Sequence, residues 1–220
     1  MTTPSIKDQP WLKAPATRAV MDALTANGGA ARFVGGCVRN ALLGVKVEDI
    51  DIATPLTPDE VTRRIEAAGL RAVATGIEHG TVTAISASTP YEITTLRRDV
   101  STDGRRATVA FSSDWAEDAE RRDFTMNALY ADASGEVFDF TGGIADLAAR
   151  RVRFIGDPAK RIAEDYLRIL RLFRFHAWYG QGEIDGAGLR ACADAKGQIK
   201  TLSGERIQKE MLRLLAADDP

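Results

Sequence analysis

The sequence predicts an α+β fold, with a sheet-bearing region over residues 1–155 and an all-helical region over 156–220. Three observations carry this. Short runs rich in β-branched residues (ARFV, EDIDIAT, LRAVA, TVTAIS and YEITTLR) crowd the first hundred positions between glycine, proline and polar breaks. After Gly156 such runs vanish, and KRIAEDYLRILRLFRFHAWY and GERIQKEMLRLLA place apolar residues at helical spacing. With 220 residues, 45% of them hydrophobic, the chain can bury one sizeable core, or one domain and the start of a second.

The elements follow in order. Pro15 to Asn27 has helical periodicity and stops at Gly28-Gly29. ARFV reads as a strand that runs into Gly35-Gly36, and CVRNALLG as a helix closed by Gly44. EDIDIAT is the next strand. Thr57-Pro58-Asp59-Glu60 is a helix start, with a capping threonine, proline in the first turn and acids after it. LRAVA, TVTAIS and YEITTLR are strands, and polar Arg97 to Ser113 is expected to be a mobile loop. RRDFTMNALY reads as a helix start capped by Asp123, and EVFDFTGGIADL as a turn into another helix. One long helix is expected from KRIAEDYLR onwards, its core face made of Ile162, Tyr166, Ile169, Phe173 and Ala177.

Composition narrows the function. A net charge of -2 excludes a global basic field, so any nucleic-acid contact must be a local patch, for which Arg150, Arg151, Arg153, Lys160, Arg171 and Arg174 are candidates. Two distant cysteines, Cys37 and Cys192, and two histidines, His79 and His176, argue against a zinc site and read as reduced thiols with structural imidazoles. The N-terminus has no apolar signal core and no run reaches membrane-spanning length. The expectation is a soluble, cytoplasmic protein without a membrane partner.

EDIDIAT raises the chemical question. On a strand, Asp49 and Asp51 share one face and Ile50 and Ile52 the other, with the two acidic positions roughly 6.5–7 Å apart at about 3.3 Å rise per residue. Like charges so placed repel unless a cation or proton intervenes. Upstream, Gly35 and Gly36 between a strand and a helix let backbone N–H groups approach an anion, and Arg39 adds a side-chain clamp. A lone Gly-Gly is more often a tight turn, and neither GxGxxG nor GKS/GKT is present. Followed by two carboxylates on one strand and a third, Glu92, on another, it points to divalent cations bridging protein and triphosphate.

The ordered set GGCVRNALLGVKVEDIDIAT, RRDFTMNALY, DFTGGIADL, DPAKRIAEDYLRILRLFRF and GERIQKEMLRLL resembles the motifs of the bacterial class II tRNA CCA-adding enzyme and poly(A) polymerase family. The resemblance implies a polymerase-β-like nucleotidyltransferase head with a mixed or antiparallel sheet over 1–155, followed by an all-helical neck over 156–220. The family's body and tail domains would then lie outside these residues. It implies CTP and ATP as substrates, the tRNA 3′ acceptor end as partner, and two Mg²⁺ ions held by Asp49, Asp51 and Glu92 as the catalytic centre. Gly35, Gly36, Arg39 and Arg122 would hold the triphosphate, and Asp123 and Asn127 the ribose. Asp165 and Arg168 would read the base, oriented by Glu164 and Arg161; by spacing alone Asp165 and Arg168 are an ordinary helical ion pair. Asn40 stands where the family commonly has aspartate.

Two branches share these motifs. TGIEHGTVTA resembles the CCA-adding branch more than the poly(A) branch, and the Arg97–Ser113 segment resembles the family's flexible loop. Enzymes that add only CC or only A, and a non-catalytic nucleotide- or RNA-binding module, stand as alternatives. Three converging acids speak for transfer over binding alone.

Overall fold

A computed structural model describes residues 4–76, 80–102 and 107–220; His79 lies outside the described residues. Two helices, α1 (Pro10–Lys13) and α2 (Pro15–Thr25), open the chain, and a 3-10 turn at Ala26–Gly28 ends the second. Gly29 is required there by close approach, since a Cβ would fall 2.1 Å from the Leu24 carbonyl oxygen. Arg64 reaches the same corner, donating to the Leu24 carbonyl at 2.9 Å and so capping the end of α2.

The central sheet is built from β1 (Arg32–Val34), β2 (Asp51–Thr54), β3 (Arg71–Gly76), β4 (Thr81–Ser86), β5 (Thr89–Thr95) and two later strands. Its order is β3-β4-β5-β2-β1-β8-β9, with β8 at Leu129–Ala131 and β9 at Val137–Asp139. Only β2 and β5 pair in parallel; the other ladders are antiparallel. Helix α3 (Gly36–Leu43) closes at Gly44 in the left-handed conformation, φ 68°, as its glycine stop requires. Helix α4 (Pro58–Ala67) starts where Thr57 accepts a hydrogen bond from the Glu60 N–H.

One sheet face is covered. Along β5, Tyr91, Ile93 and Thr95 are buried, and the Tyr91 hydroxyl meets Thr17 of α2 at 3.0 Å. Val82 and Ala84 of β4 and Val61 and Ile65 of α4 complete this core. Because β-strand side chains alternate, Glu92 projects from the opposite, open face.

Three expectations change here. Residues Arg97–Thr102 (β6) and Ala107–Phe111 (β7) form a separate two-stranded sheet in place of a loop. Helix α5 (Trp115–Glu120) stops before RRDFTMNALY, which is not helical: it forms a 3-10 turn, Thr125–Asn127, and then β8. Pairing of Tyr130 with Val34 and of Ala131 with Phe33 overrides the local helical pattern. EDIDIAT becomes strand only from Asp51, leaving Asp49 outside it.

The chain divides into two units, one comprising Met1–Arg98, Val109–Ala119 and Asn127–Phe140, the other Asp99–Thr108, Glu120–Met126 and Thr141–Pro220. The second unit carries α6 (Gly143–Ala148), α7 (Pro158–Glu164), α8 (Leu167–Tyr179), α9 (Gly186–Ala195) and α10 (Gly204–Leu215). Its core includes Phe124, Phe154 and Phe175, with ring centroids 4.8 and 5.2 Å from Phe124. The long helix expected from Pro158 is two helices, broken at Asp165, whose backbone is extended at φ -156° and ψ 107°. The Asp165 carboxylate accepts from the Leu167 N–H at 3.1 Å, a local bond that competes with helix continuation and starts α8. The break resets the phase of the apolar face. Ile162, Leu167, Ile169, Leu172 and Phe175 are buried, whereas Tyr166, Phe173 and Ala177 are only partly so.

Candidate active site

In the first unit, the parallel ladder sets Asp51 directly across from Glu92 and Ile52 across from Ile93. Paired residues on neighbouring strands point the same way, so both carboxylates stand on the open face while both isoleucines are buried beneath. Thr83 of β4 lies across from Glu92 on its other side, so short polar neighbours flank the acid. Strands in a sheet lie about 4.8 Å apart, close enough for two carboxylates to share one cation. Asp49 is exposed and precedes the strand. Among the described residues, the Asp49 and Glu92 side chains make no hydrogen bond or ion pair with protein groups. No group of three or more histidine, cysteine, aspartate or glutamate side chains able to hold a metal is gathered among the described residues. The ladder thus brings together two of the three expected acids. That donor set suits Mg²⁺, which takes one or two carboxylates and completes its shell with water and substrate phosphate.

The glycine turn adjoins these acids. Gly35, at φ 71° and ψ -118°, caps α3 in a conformation open to glycine and costly to other residues. Its N–H donates to the Leu129 carbonyl at 3.0 Å, which ties the turn to β8. Two residues on, the buried Cys37 thiol lies 3.4 Å from the Val34 carbonyl and 3.7 Å from that of Asp51, joining the start of α3 to the start of β2. Burial, and then the negative charge of Asp51, push this thiol up to about 12. Arg39 is held from two sides. Its Nε and Nη2 donate to Asn40 Oδ1 at 3.1 and 2.9 Å, and its Nη1 to Asn127 Oδ1 at 2.5 Å. Asn40 in turn donates to the Lys46 carbonyl at 3.0 Å. The amide in place of the family's usual aspartate therefore still accepts the guanidinium fork, and adds a donor a carboxylate lacks.

The second unit holds the other predicted residues. Arg161 Nη2 lies 2.8 Å from Glu164 Oε1, and Arg168 Nη1 bonds Glu164 Oε2. Arg168 also donates to the carbonyls of Arg161 at 2.7 Å and Arg121 at 3.2 Å. Glu164 sits between the two guanidinium groups and pairs with both. Asp165 and Arg168 do not pair with each other: Asp165 Oδ2 accepts from Arg206 Nη2 of α10 at 2.8 Å. Asp123 is buried at a bend, its Oδ2 gripped by Arg171 Nε and Nη2 at 2.7 and 2.5 Å and its Oδ1 bonded to the Phe124 N–H. Asp123 and Asn127 do not share a helix face. Arg122 is half-buried beside Asp123 and is not without partners.

Several basic residues expected to face nucleic acid are committed inward. Arg151 and Arg153 both bond the buried Asp146, and Arg174 bonds the buried Glu210 at 2.5 Å. Arg171 joins Asp123 to Glu210. The pairings of Arg171 with Asp123 and of Arg206 with Asp165 escaped sequence reasoning because the partners lie 48 and 41 residues away, with no local spacing to mark them.

Residues 31–153, more than half of the chain, match the profile of the Poly A polymerase head domain. The chain belongs to this head-domain family. Among curated relatives, the mitochondrial CCA tRNA nucleotidyltransferase 1 of Mus musculus is 45% identical over 193 residues, covering 85% of this chain and 44% of its own. The CCA-adding enzyme of Oceanobacillus iheyensis is 42% identical over 208 residues, covering 94% and 50%. The crystal structure of the Bacillus stearothermophilus CCA-adding enzyme in complex with CTP is similar with a TM-score of 0.82 and 32% identity, over 93% of this chain and 50% of that one. The sheet and helices are thus those of a polymerase-β-like head with helical neck. The chain spans about half the length of the curated relatives it matches. No helix among the described residues is long and apolar enough to cross a membrane.

Proposed function

We propose that the chain is the nucleotide-binding and catalytic portion of an RNA nucleotidyltransferase that adds C and A to tRNA 3′ ends from CTP and ATP. The observation that carries this is the pairing of Asp51 with Glu92 on an open sheet face beside the Gly35–Gly36 turn. Asp51 and Glu92, with Asp49 at the edge of the strand, are the residues that would hold Mg²⁺. The ions, when bound, supply positive charge to the phosphate oxygens and lower the proton affinity of the attacking hydroxyl.

The protein's own groups do the rest. The Gly35–Gly36 turn offers the N-terminus of α3 to the triphosphate. Arg39, braced by Asn40 and Asn127, adds a guanidinium whose orientation is set before substrate arrives, which lowers the ordering cost of binding. Arg122 would add positive charge for the triphosphate, and Asn127 and Asp123 are the groups assigned to the ribose, Asp123 being steadied by Arg171. Asp165 offers a carboxylate acceptor and Arg168 a donor to the base edge. Cytosine and adenine present an amino group where uracil and guanine present a carbonyl, so a carboxylate acceptor selects the first pair.

The test is binding of CTP and ATP to the chain with Mg²⁺ or with chelator, together with incubation with tRNA lacking its terminal trinucleotide. The expected results are Mg²⁺-dependent nucleotide binding, lost in Asp51→Asn at unchanged melting temperature, and tRNA product ending in CCA. Binding that ignores both chelator and Asp51→Asn would overturn the metal assignment. Long A tails would favour a poly(A) polymerase instead, and Mg²⁺-dependent binding without product a non-catalytic module.

A further inference from the structure

The open sheet face continues past the carboxylates. In the order β3-β4-β5-β2-β1, the glycine turn follows β1 on one side of Asp51 and Glu92, while β4 and β3 lie on the other. Thr83 of β4 stands across from Glu92, and its hydroxyl lies 2.9 Å from that of Thr75 on β3, so both side chains share the face of the acids. Neither side chain makes another hydrogen bond among the described residues. Thr54 and Thr95, by contrast, are buried and donate their hydroxyl protons to the carbonyls of Ala30 and Leu56. A bonded hydroxyl pair uses one proton and one lone pair, and so keeps a donor and further acceptor directions. Thr75 is exposed and Thr83 half-buried, which leaves that capacity facing outward. Arg71, across from Ile85, lies on the same face, two residues along β3 from the position paired with Thr83. It is exposed and makes no hydrogen bond or ion pair among the described residues.

In nucleotidyl transfer the primer 3′-oxygen bonds the α-phosphorus as the bond to the β-phosphate breaks, pyrophosphate leaves and the hydroxyl proton goes to water. The entering and leaving oxygens lie on opposite sides of the phosphorus. With the triphosphate at the Gly35–Gly36 turn, the attacking nucleotide must approach over β4 and β3. We infer that Thr83 and Thr75 bind the 2′-hydroxyl of the last nucleotide of the RNA primer and Arg71 a phosphate behind it, so that this face selects a ribose end over a deoxyribose end. The inference deepens the proposed function and rests on Asp51 and Glu92 being its catalytic acids. A 2′-hydroxyl both donates and accepts, which is the capacity the threonine pair keeps, and a deoxyribose offers neither. The phosphodiester behind it is anionic and matches a guanidinium. Threonines present only for strand propensity would be indifferent to the sugar.

The experiment measures dissociation constants of CTP with Mg²⁺ and, without CTP, of two tRNAs lacking the terminal trinucleotide, one ending in ribose and one in 2′-deoxyribose. The intact chain is compared with Thr83→Val, Thr75→Val and Arg71→Gln, with melting temperatures alongside. The intact chain should bind the ribose end roughly 3- to 10-fold more tightly, the effect of one or two exposed hydrogen bonds. Thr83→Val and Thr75→Val keep the branched shape and should bring that ratio toward unity by weakening the ribose tRNA alone. Arg71→Gln should weaken both tRNAs equally and lower the salt slope by about one. All four proteins should bind CTP alike and melt close together. Equal affinity of the intact chain for the two ends, or a ribose preference that survives both threonine substitutions, overturns the sugar contact. An unchanged salt slope in Arg71→Gln overturns the phosphate contact. CTP binding that ignores both Mg²⁺ and Asp51→Asn removes the proposed function and this inference with it, a result separate from the tRNA ratios.

Discussion

Asp146→Asn tests how the second unit is held together. The Asp146 side chain is fully buried and accepts from Thr125 Oγ1 at 2.7 Å, Arg151 Nε at 2.8 Å and Arg153 Nε at 2.8 Å. Burial alone would raise its proton affinity, but the bonds from Thr125, Arg151 and Arg153 carry it below the usual carboxylate range. The amide keeps one acceptor and turns an NH2 group toward donors on the other side. The side chains of Arg151 and Arg153 are 52% and 40% exposed, so they regain water when the charge is lost, and each pair counts for less than a buried one. Two screened ion pairs plus one misdirected buried donor come to about 2–3 kcal/mol. For a chain of this size that is a fall of about 4–12 °C in melting temperature. The sign with pH follows from the depressed proton affinity. The wild-type advantage is present above the unfolded carboxylate value, roughly 3.9, and is lost as pH falls through the lower folded value. Thermal melts of both proteins at pH 7 and at descending pH provide the measurement. Equal melting temperatures at pH 7, or a gap that stays constant into strong acid, would refute the reasoning.

Two further outcomes are expected. Gly35→Ala forces a side chain onto φ 71°, ψ -118°, costing about 1–3 kcal/mol, and should weaken nucleotide binding along with stability; denaturant titration and CTP binding measure the two effects. Cys37, pushed up to about 12 by burial and then Asp51, and Cys192, pushed up to about 11 by burial, stay thiols at neutral pH. Alkylation at pH 8 should therefore proceed only as fast as the protein opens, and labelling of Cys37 at the rate of a free thiol would contradict its packing against β2.

Much of the fold could be read from local pattern. Thr57 before Pro58, the glycine stop at Gly44 and the β-branched runs at β3, β4 and β5 each act through chain neighbours, and the structure realises them as expected. The failures share a different cause. RRDFTMNALY looks helical in isolation, yet its second half is recruited as β8 by Phe33 and Val34, almost a hundred residues earlier. The helix through EDYLR breaks because the Asp165 carboxylate bonds the Leu167 N–H, a competition that periodicity does not register.

The sequence by itself determined most of the element order, the glycine turn and the alternation that turns Asp51 away from Ile52. Those features depend on residues within a few positions of one another, where backbone geometry leaves few choices. Only the tertiary structure decided that Asp51 stands across from Glu92, that Arg171 holds Asp123 and that Arg206, not Arg168, holds Asp165. Strand register and long-range ion pairs are set by the packing of distant segments against one another, and no spacing along the chain encodes them.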